Sequence, residues 1–294
     1  MTTPTSVPEP SKAPVTWRSV AVRVIFFIAI VTIGLNLLTL PLLGLLGPVV
    51  AGTIGLCATG LLANLLTMRI FDRRPLIDIG MPLNRASLYN GVLGLILGGG
   101  IALLMLLAPL LAGTGHLQTR PNANPEYGSL LFYIFALLVA ATGEELIFRG
   151  YAFQLLVRHL GPFATILPVS VIFGLLHSSN PNSTRLGLAN TMLWGVLLGV
   201  SFLRSRDLWL PIGLHFGWNA VLPLFGVNLS GLTIEVTRYT YRWDLAPIWS
   251  GGDYGPEGGL LATIFIIALF FVLLRIRIAP QVAGVATNLN EPLW

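Results

Sequence analysis

Between Val24 and Met68 the chain runs 45 residues without one charged side chain. As a single helix this run would extend about 68 Å at ~1.5 Å per residue, roughly twice the ~30 Å hydrocarbon core of a bilayer. It therefore reads as two membrane spans, with the turn at Gly44-Leu45-Leu46-Gly47-Pro48, where glycine and proline permit the chain to reverse. Composition agrees with this reading. With 54% apolar and only 10% charged side chains in 294 residues, the chain cannot cover a water-facing surface. A soluble enzyme, a disulfide scaffold, a coiled coil and a disordered regulator are excluded. The single cysteine, Cys57, lies inside the apolar run and can form no intrachain disulfide. The 17 Lys and Arg residues are scattered singly or in pairs and form no stripe that could track phosphates, so the partner to expect is the lipid bilayer and not nucleic acid.

Further apolar segments follow near Gly91 to Ala112, Ser129 to Arg158, Pro162 to His177, Gly187 to Leu203, Leu208 to Phe225 and Gly258 to Leu274. The expected fold is an all-α polytopic membrane protein, a bundle of about eight transmembrane helices over residues 18–278. A Pro/Ser/Thr-rich disordered tail (1–17) precedes it and a C-terminal tail (279–294) follows. Orientation comes from the basic residues, which mark the cytoplasmic side. With a cytoplasmic N-terminus, thirteen of the seventeen collect there, leaving Arg120, Arg185, Arg238 and Arg242 outside. Both termini are then cytoplasmic, and the aromatic-rich stretch Gly226 to Glu257 lies on the far face.

Only two carboxylates, Glu144 and Glu145, fall inside an expected span. Each costs on the order of 2.5–3.5 kcal/mol near the bilayer centre unless it is paired or faces a wet cavity. Glu145 and Arg149 are four residues apart and share a helix face, which suits a buried ion pair. Glu144 is rotated about 100° away, with Ile147 and Phe148 as its helical neighbours, and is left to serve as a base toward water. Of the four histidines, His116 and His159 fall in a polar loop and at a helix end and read as solvated or interfacial. His177 and His215 fall in spans. His177 lies four residues after Phe173, and His215 four before Asn219, so each pair shares a helix face.

Glu144-Glu145-x-x-x-Arg149, Phe173-x-x-x-His177 and His215-x-x-x-Asn219, in that order on separate apolar helices, resemble the three motifs of the CPBP intramembrane proteases. This is the CAAX-protease and bacteriocin-processing (Abi) family that includes type II CAAX prenyl endopeptidases. The resemblance implies an endopeptidase with its site inside the membrane and a membrane-associated peptide or protein as substrate. It casts Glu144 as general base, His177 as a residue that holds and activates water, and His215 and Asn219 as oxyanion donors, with Glu145, Arg149 and Phe173 in support. Glu144, His177 and His215 would also be the ligands if zinc were the cofactor. A helical His-Glu-x-x-His signature is absent, and Asn219 is a poor zinc ligand but a good oxyanion donor, so a metal-free glutamate mechanism is favoured over a metalloprotease. No Asp falls in a span to complete a Ser-His-Asp set. Intramembrane Glu, Arg and His also build proton relays, which keeps a proton-coupled transporter or channel open, as it does a non-catalytic scaffold or immunity protein. The resemblance favours a cavity open to the cytoplasm.

Overall fold

The computed structural model describes residues 16–120, 127–281, 283 and 285. The proposed N-terminal tail therefore lies outside the described residues up to position 15, and its last two residues already belong to a helix start. Thr16 caps α1 (Trp17–Gly34) by accepting from the Ser19 amide. A π turn, Leu35–Thr39, leads into α2 (Leu40–Thr67), and a second, Met68–Asp72, ends it. The expected break is at Gly47, whose φ of 75° and ψ of 167° interrupt α2 just before Pro48. Glycine tolerates this positive φ without the Cβ clash that other residues would meet.

A loop with a short 3-10 turn, Leu76–Ile79, precedes α3 (Arg85–Leu111), capped by Asn84 through the Ser87 amide at 2.9 Å. β1 (Gly115–Thr119) follows, then α4 (Tyr127–Phe148), α5 (Tyr151–Leu160) and α6 (Pro162–Leu176). α7 (Arg185–Ser205) starts at the Thr184 cap and stops at Arg206, which adopts the left-handed conformation. α8 (Trp209–Leu224), β2 (Tyr239–Trp243), α9 (Pro247–Ser250) and α10 (Leu260–Arg275) complete the described elements. β1 and β2 pair antiparallel, Gly115 opposite Trp243 and Thr119 opposite Tyr239. Apart from this ribbon and the loops, the described residues are helical, as in an all-α membrane protein.

Among the described residues five helical stretches are long and apolar enough to cross a membrane: Trp17–Asp72, Arg85–Leu111, Tyr127–Leu160, Pro162–Ser179 and Arg185–Ser205. The first is the 56-residue run broken at Gly47. α8 and α10, at 16 residues each, fall short of that length. The expected continuous helix from Ser129 to Arg158 is corrected: α4 ends at Phe148, and α5 begins at Tyr151 after Gly150 leaves the helical region with a ψ of −149°. Crowding explains the break. A Cβ on Gly150 would overlap the Leu146 carbonyl and the Asn64 amide, and Asn64 occupies the gap, accepting from the Tyr151 amide (2.7 Å) and donating to the Leu146 carbonyl (2.8 Å).

Helix packing follows the glycines. α3 and α8 meet through Gly94 and Gly98 on one and Gly213 and Gly217 on the other. Side-chain carbons added there would run into the backbone of the opposing helix. Small residues four apart let two helix backbones approach closely in an apolar medium, where dispersion and not the hydrophobic effect holds helices together. Gly195 of α7 does the same against the Ser170 backbone of α6, and Gly199 packs on the Ile166 side chain.

The bundle has two distinguishable ends. At the basal end Arg23 reaches Asp72 (2.7 Å) and Tyr151 (3.0 Å), Gln154 donates to the Ile79 carbonyl (2.7 Å) and the Leu208 amide to the Gly80 carbonyl (2.7 Å). The segment after α10 docks here and is no free tail at its start: Gln281 donates to Asp207 (2.9 Å), its amide donates to the Ser205 carbonyl (2.7 Å), and Asn90 bonds both polar groups of the Ala279 backbone. At the distal end lie the β1–β2 ribbon, an Arg120–Glu235 ion pair, and the 225–259 connection folded against the 180–184 turn, where Gly231 packs against Pro181.

Candidate active site

A cavity of about 360 Å³ lies among α2, α4, α6, α7 and α8. Glu144, Phe173, His177, His215 and Asn219 all line it. Glu145 and Arg149, fully buried, lie behind its lining and are joined to it through His215.

α4 contributes both glutamates. Their adjacent positions point them apart, so Glu145 is fully buried while the Glu144 side chain keeps 21% exposure toward the cavity. Arg149 Nη1 donates to Glu145 Oε1 at 3.1 Å, the ion pair expected from their spacing, and Nη2 donates to the Gly195 carbonyl of α7 at 3.0 Å. Glu145 does more than pair with arginine. His215 Nδ1 donates to the same Oε1 at 2.9 Å, and His215 Nε2 stands 3.8 Å from Glu144 Oε2. Glu144 has no partner on its own helix, but it has one across the cavity.

The hydrogen bonds fix both histidines through Nδ1, one on a backbone carbonyl and the other on a carboxylate. His177 Nδ1 is 2.8 Å from the Phe173 carbonyl, which can only accept, so Nδ1 carries the proton and a neutral ring presents the Nε2 lone pair. His215 Nδ1 faces a carboxylate and likewise carries a proton, which turns Nε2 toward Glu144. Phe173 is the hub between them: its ring lies 4.9 Å from the His177 ring, 6.2 Å from the His215 ring and 5.0 Å from the Arg149 guanidinium carbon. The Asn219 amide lines the cavity and makes no hydrogen bond within the described residues.

The other two histidines are elsewhere. His116 sits on β1, 2.9 Å from Asp244, and His159 bonds the Leu155 carbonyl and packs edge-on against Trp17.

Sequence reasoning misses Glu257. Placed in a far-face connection, it is brought back to the cavity, only 8% exposed. Its Oε1 accepts from Trp218 Nε1 at 2.9 Å and its Oε2 from the Ser230 amide and hydroxyl, while Asn190 holds its backbone carbonyl at 2.8 Å. Trp218 in turn stacks edge-on against Trp194, ring centres 4.9 Å apart. A loop carboxylate has no helical period to reveal it. The only signal is Trp218 lying between His215 and Asn219, a buried donor in need of an acceptor. Burial pushes the nearby Tyr254 hydroxyl up from its ordinary range, with the Glu257 charge adding in the same direction, so it keeps its proton.

Among the described residues no three His, Cys, Asp or Glu side chains are arranged to hold a metal ion. Glu144, His177 and His215 share the cavity, and each histidine is anchored through Nδ1 with Nε2 left free, an arrangement that suits water or a metal ligand alike.

Fold and site together define a class: an all-helical membrane protein with a carboxylate–histidine cavity enclosed by its helices. The family comparison makes this narrower. Residues 126–221 match the family of type II CAAX prenyl endopeptidases, Rce1-like, and that segment holds Glu144, Glu145, Arg149, Phe173, His177, His215 and Asn219. The match supports a CAAX-type protease activity embedded in the membrane. Glu257 lies outside the matched segment. No curated protein and no solved structure matches the chain.

Proposed function

We propose that the protein is an intramembrane endopeptidase in which Glu144 activates water, His177 helps to hold it, and His215 and Asn219 stabilise the oxyanion, without a metal. The observation that carries this reading is the pair of histidine contacts, Nδ1 of His177 on the Phe173 carbonyl and Nδ1 of His215 on Glu145, which leave both Nε2 atoms for the cavity. His177 offers a lone pair at Nε2, suited to accept from water beside Glu144. His215, with Nδ1 tied to Glu145, turns Nε2 toward Glu144 and offers Nε2–H when the ring is protonated. Water then gives its proton to Glu144 as its oxygen attacks the peptide carbonyl, and the developing oxyanion takes hydrogen bonds from His215 and Asn219. The proton on Glu144 passes to the leaving amine. Glu145 and Arg149 hold His215 in place and balance its charge.

The reading extends to eight spans, the stretch Trp17–Asp72 crossing twice about its Gly47 break and the 16-residue α8 and α10 crossing in full. It places both termini on the cytoplasmic face and takes membrane-associated polypeptides as substrates, prenylated ones among them. The test is the appearance of new peptide termini when purified protein meets membrane polypeptides, and their loss with Glu144→Ala. Proton flux in liposomes with no cleavage would mark a transporter instead.

A further inference from the structure

The cavity meets the bundle's two ends very differently. Asn180, Ser230, Leu232 and Glu257 join its lining from the distal connections, with Leu232 49% exposed at the rim. From the basal end there is no lining residue: none of 66–90, 150–162 or 203–209 borders the cavity. Between it and that end lie Glu145, Leu146, Arg149, Tyr151 and Phe202, each at most 1% exposed, with Arg149 bonded across to the α7 backbone. This floor is closed by packing and by a satisfied ion pair, so opening it would strand buried charge. The distal wall is a loop connection: Glu257 ties it to Trp218 and Ser230, Asn190 bonds the Glu257 and Gly259 carbonyls, and Gly231 packs on Pro181, with no ion pair bridging the cavity mouth among the described residues.

From this asymmetry we infer that the site is entered from the distal end of the bundle, the end opposite the start of α1 and the docked 276–281 segment. The partner it fits is a polypeptide segment presented on that membrane face. The expectation of a cytoplasmic opening and that of cytoplasmic termini cannot both hold with this arrangement; with the termini cytoplasmic, substrates come from the outer face. The inference rests on the proposed site, but its test does not need catalysis.

In a Cys57→Ser background, single cysteines at Thr191 and Asn180 report the cavity, Leu232 the rim and Leu83, 81% exposed, the basal end. Each is exposed to a membrane-impermeant maleimide in right-side-out and inverted vesicles. The expected result is that Thr191→Cys, Asn180→Cys and Leu232→Cys react from one face and Leu83→Cys from the other, and that the pattern persists with Glu144→Gln. Reaction of the cavity cysteines from the Leu83 face would overturn the inference. So would a reactive Leu232→Cys with both cavity cysteines inert from either face, since the distal end would then be closed.

Discussion

His215 of α8 donates from Nδ1 to Oε1 of Glu145 on α4, 2.9 Å away, and that oxygen also receives Arg149. One carboxylate oxygen thus joins the helix of the third motif to the helix of the first, and the second glutamate of the pair becomes the group that sets the histidine's orientation.

Removing either half of this junction leaves a buried charge without its counterion, a loss of roughly 3–5 kcal/mol. Glu145→Gln and Arg149→Ala should therefore lower both cleavage and the thermal midpoint in detergent. A stable but inactive Arg149→Ala protein would place the guanidinium in the chemistry itself.

Close backbone approach between α3 and α8 positions His215 and Asn219. At Gly98 a Cβ meets the Leu214 backbone, whereas Gly100 has open space around it. Gly98→Leu should cost at least the ~1–3 kcal/mol typical of overpacking and abolish activity, while Gly100→Leu changes neither appreciably. Thermal unfolding of the two purified variants decides it, and equal midpoints would contradict the packing argument.

Glu257→Ala strands the Trp218 indole N–H and frees Ser230, a cost of about 1–3 kcal/mol for a buried donor left unpaired. Turnover and thermal midpoint should fall together, and Glu257→Gln, which keeps a carbonyl acceptor for Trp218, should recover most of both. If Glu257→Gln is as inactive as alanine with an unchanged midpoint, the charge acts in the reaction and not through Trp218.

On the proposed metal-free mechanism activity should survive exhaustive chelation, because Glu144, His177, His215 and Asn219 then supply the base and the hydrogen-bonding groups by themselves. Activity lost to chelator and restored by one equivalent of zinc would reverse this.

The membrane character, the break near Gly47 and the Glu145–Arg149 pair are legible in the sequence because each follows from local spacing: a charge-free run, a Gly-Pro step, an i,i+4 pair. Local spacing also brings Phe173 with His177, and His215 with Asn219, onto common helix faces. What escapes depends on distant partners. The turn at Gly150 is made by Asn64 of α2, the β1–β2 ribbon joins residues more than a hundred apart, the 276–281 segment is held by Asn90 and Asp207, and Glu257 reaches the cavity through a loop. The span from Ser129 to Arg158 looks continuous because Gly150 alone does not stop an apolar helix; the crowding by Asn64 does.

The central claim is that Glu144 is the base of a peptide hydrolase. Gln keeps the side chain's shape and removes its basicity, so Glu144→Gln should remain folded, with an unchanged thermal midpoint, and lose at least ~10²-fold of its activity, as befits a general base. The direct measurement is mapping of new N-termini when wild-type and Glu144→Gln proteoliposomes are supplied with the same solubilised membrane polypeptides. The account predicts a set of termini made by the wild type and absent with the variant; termini within threefold of the wild-type yield in the variant would contradict it.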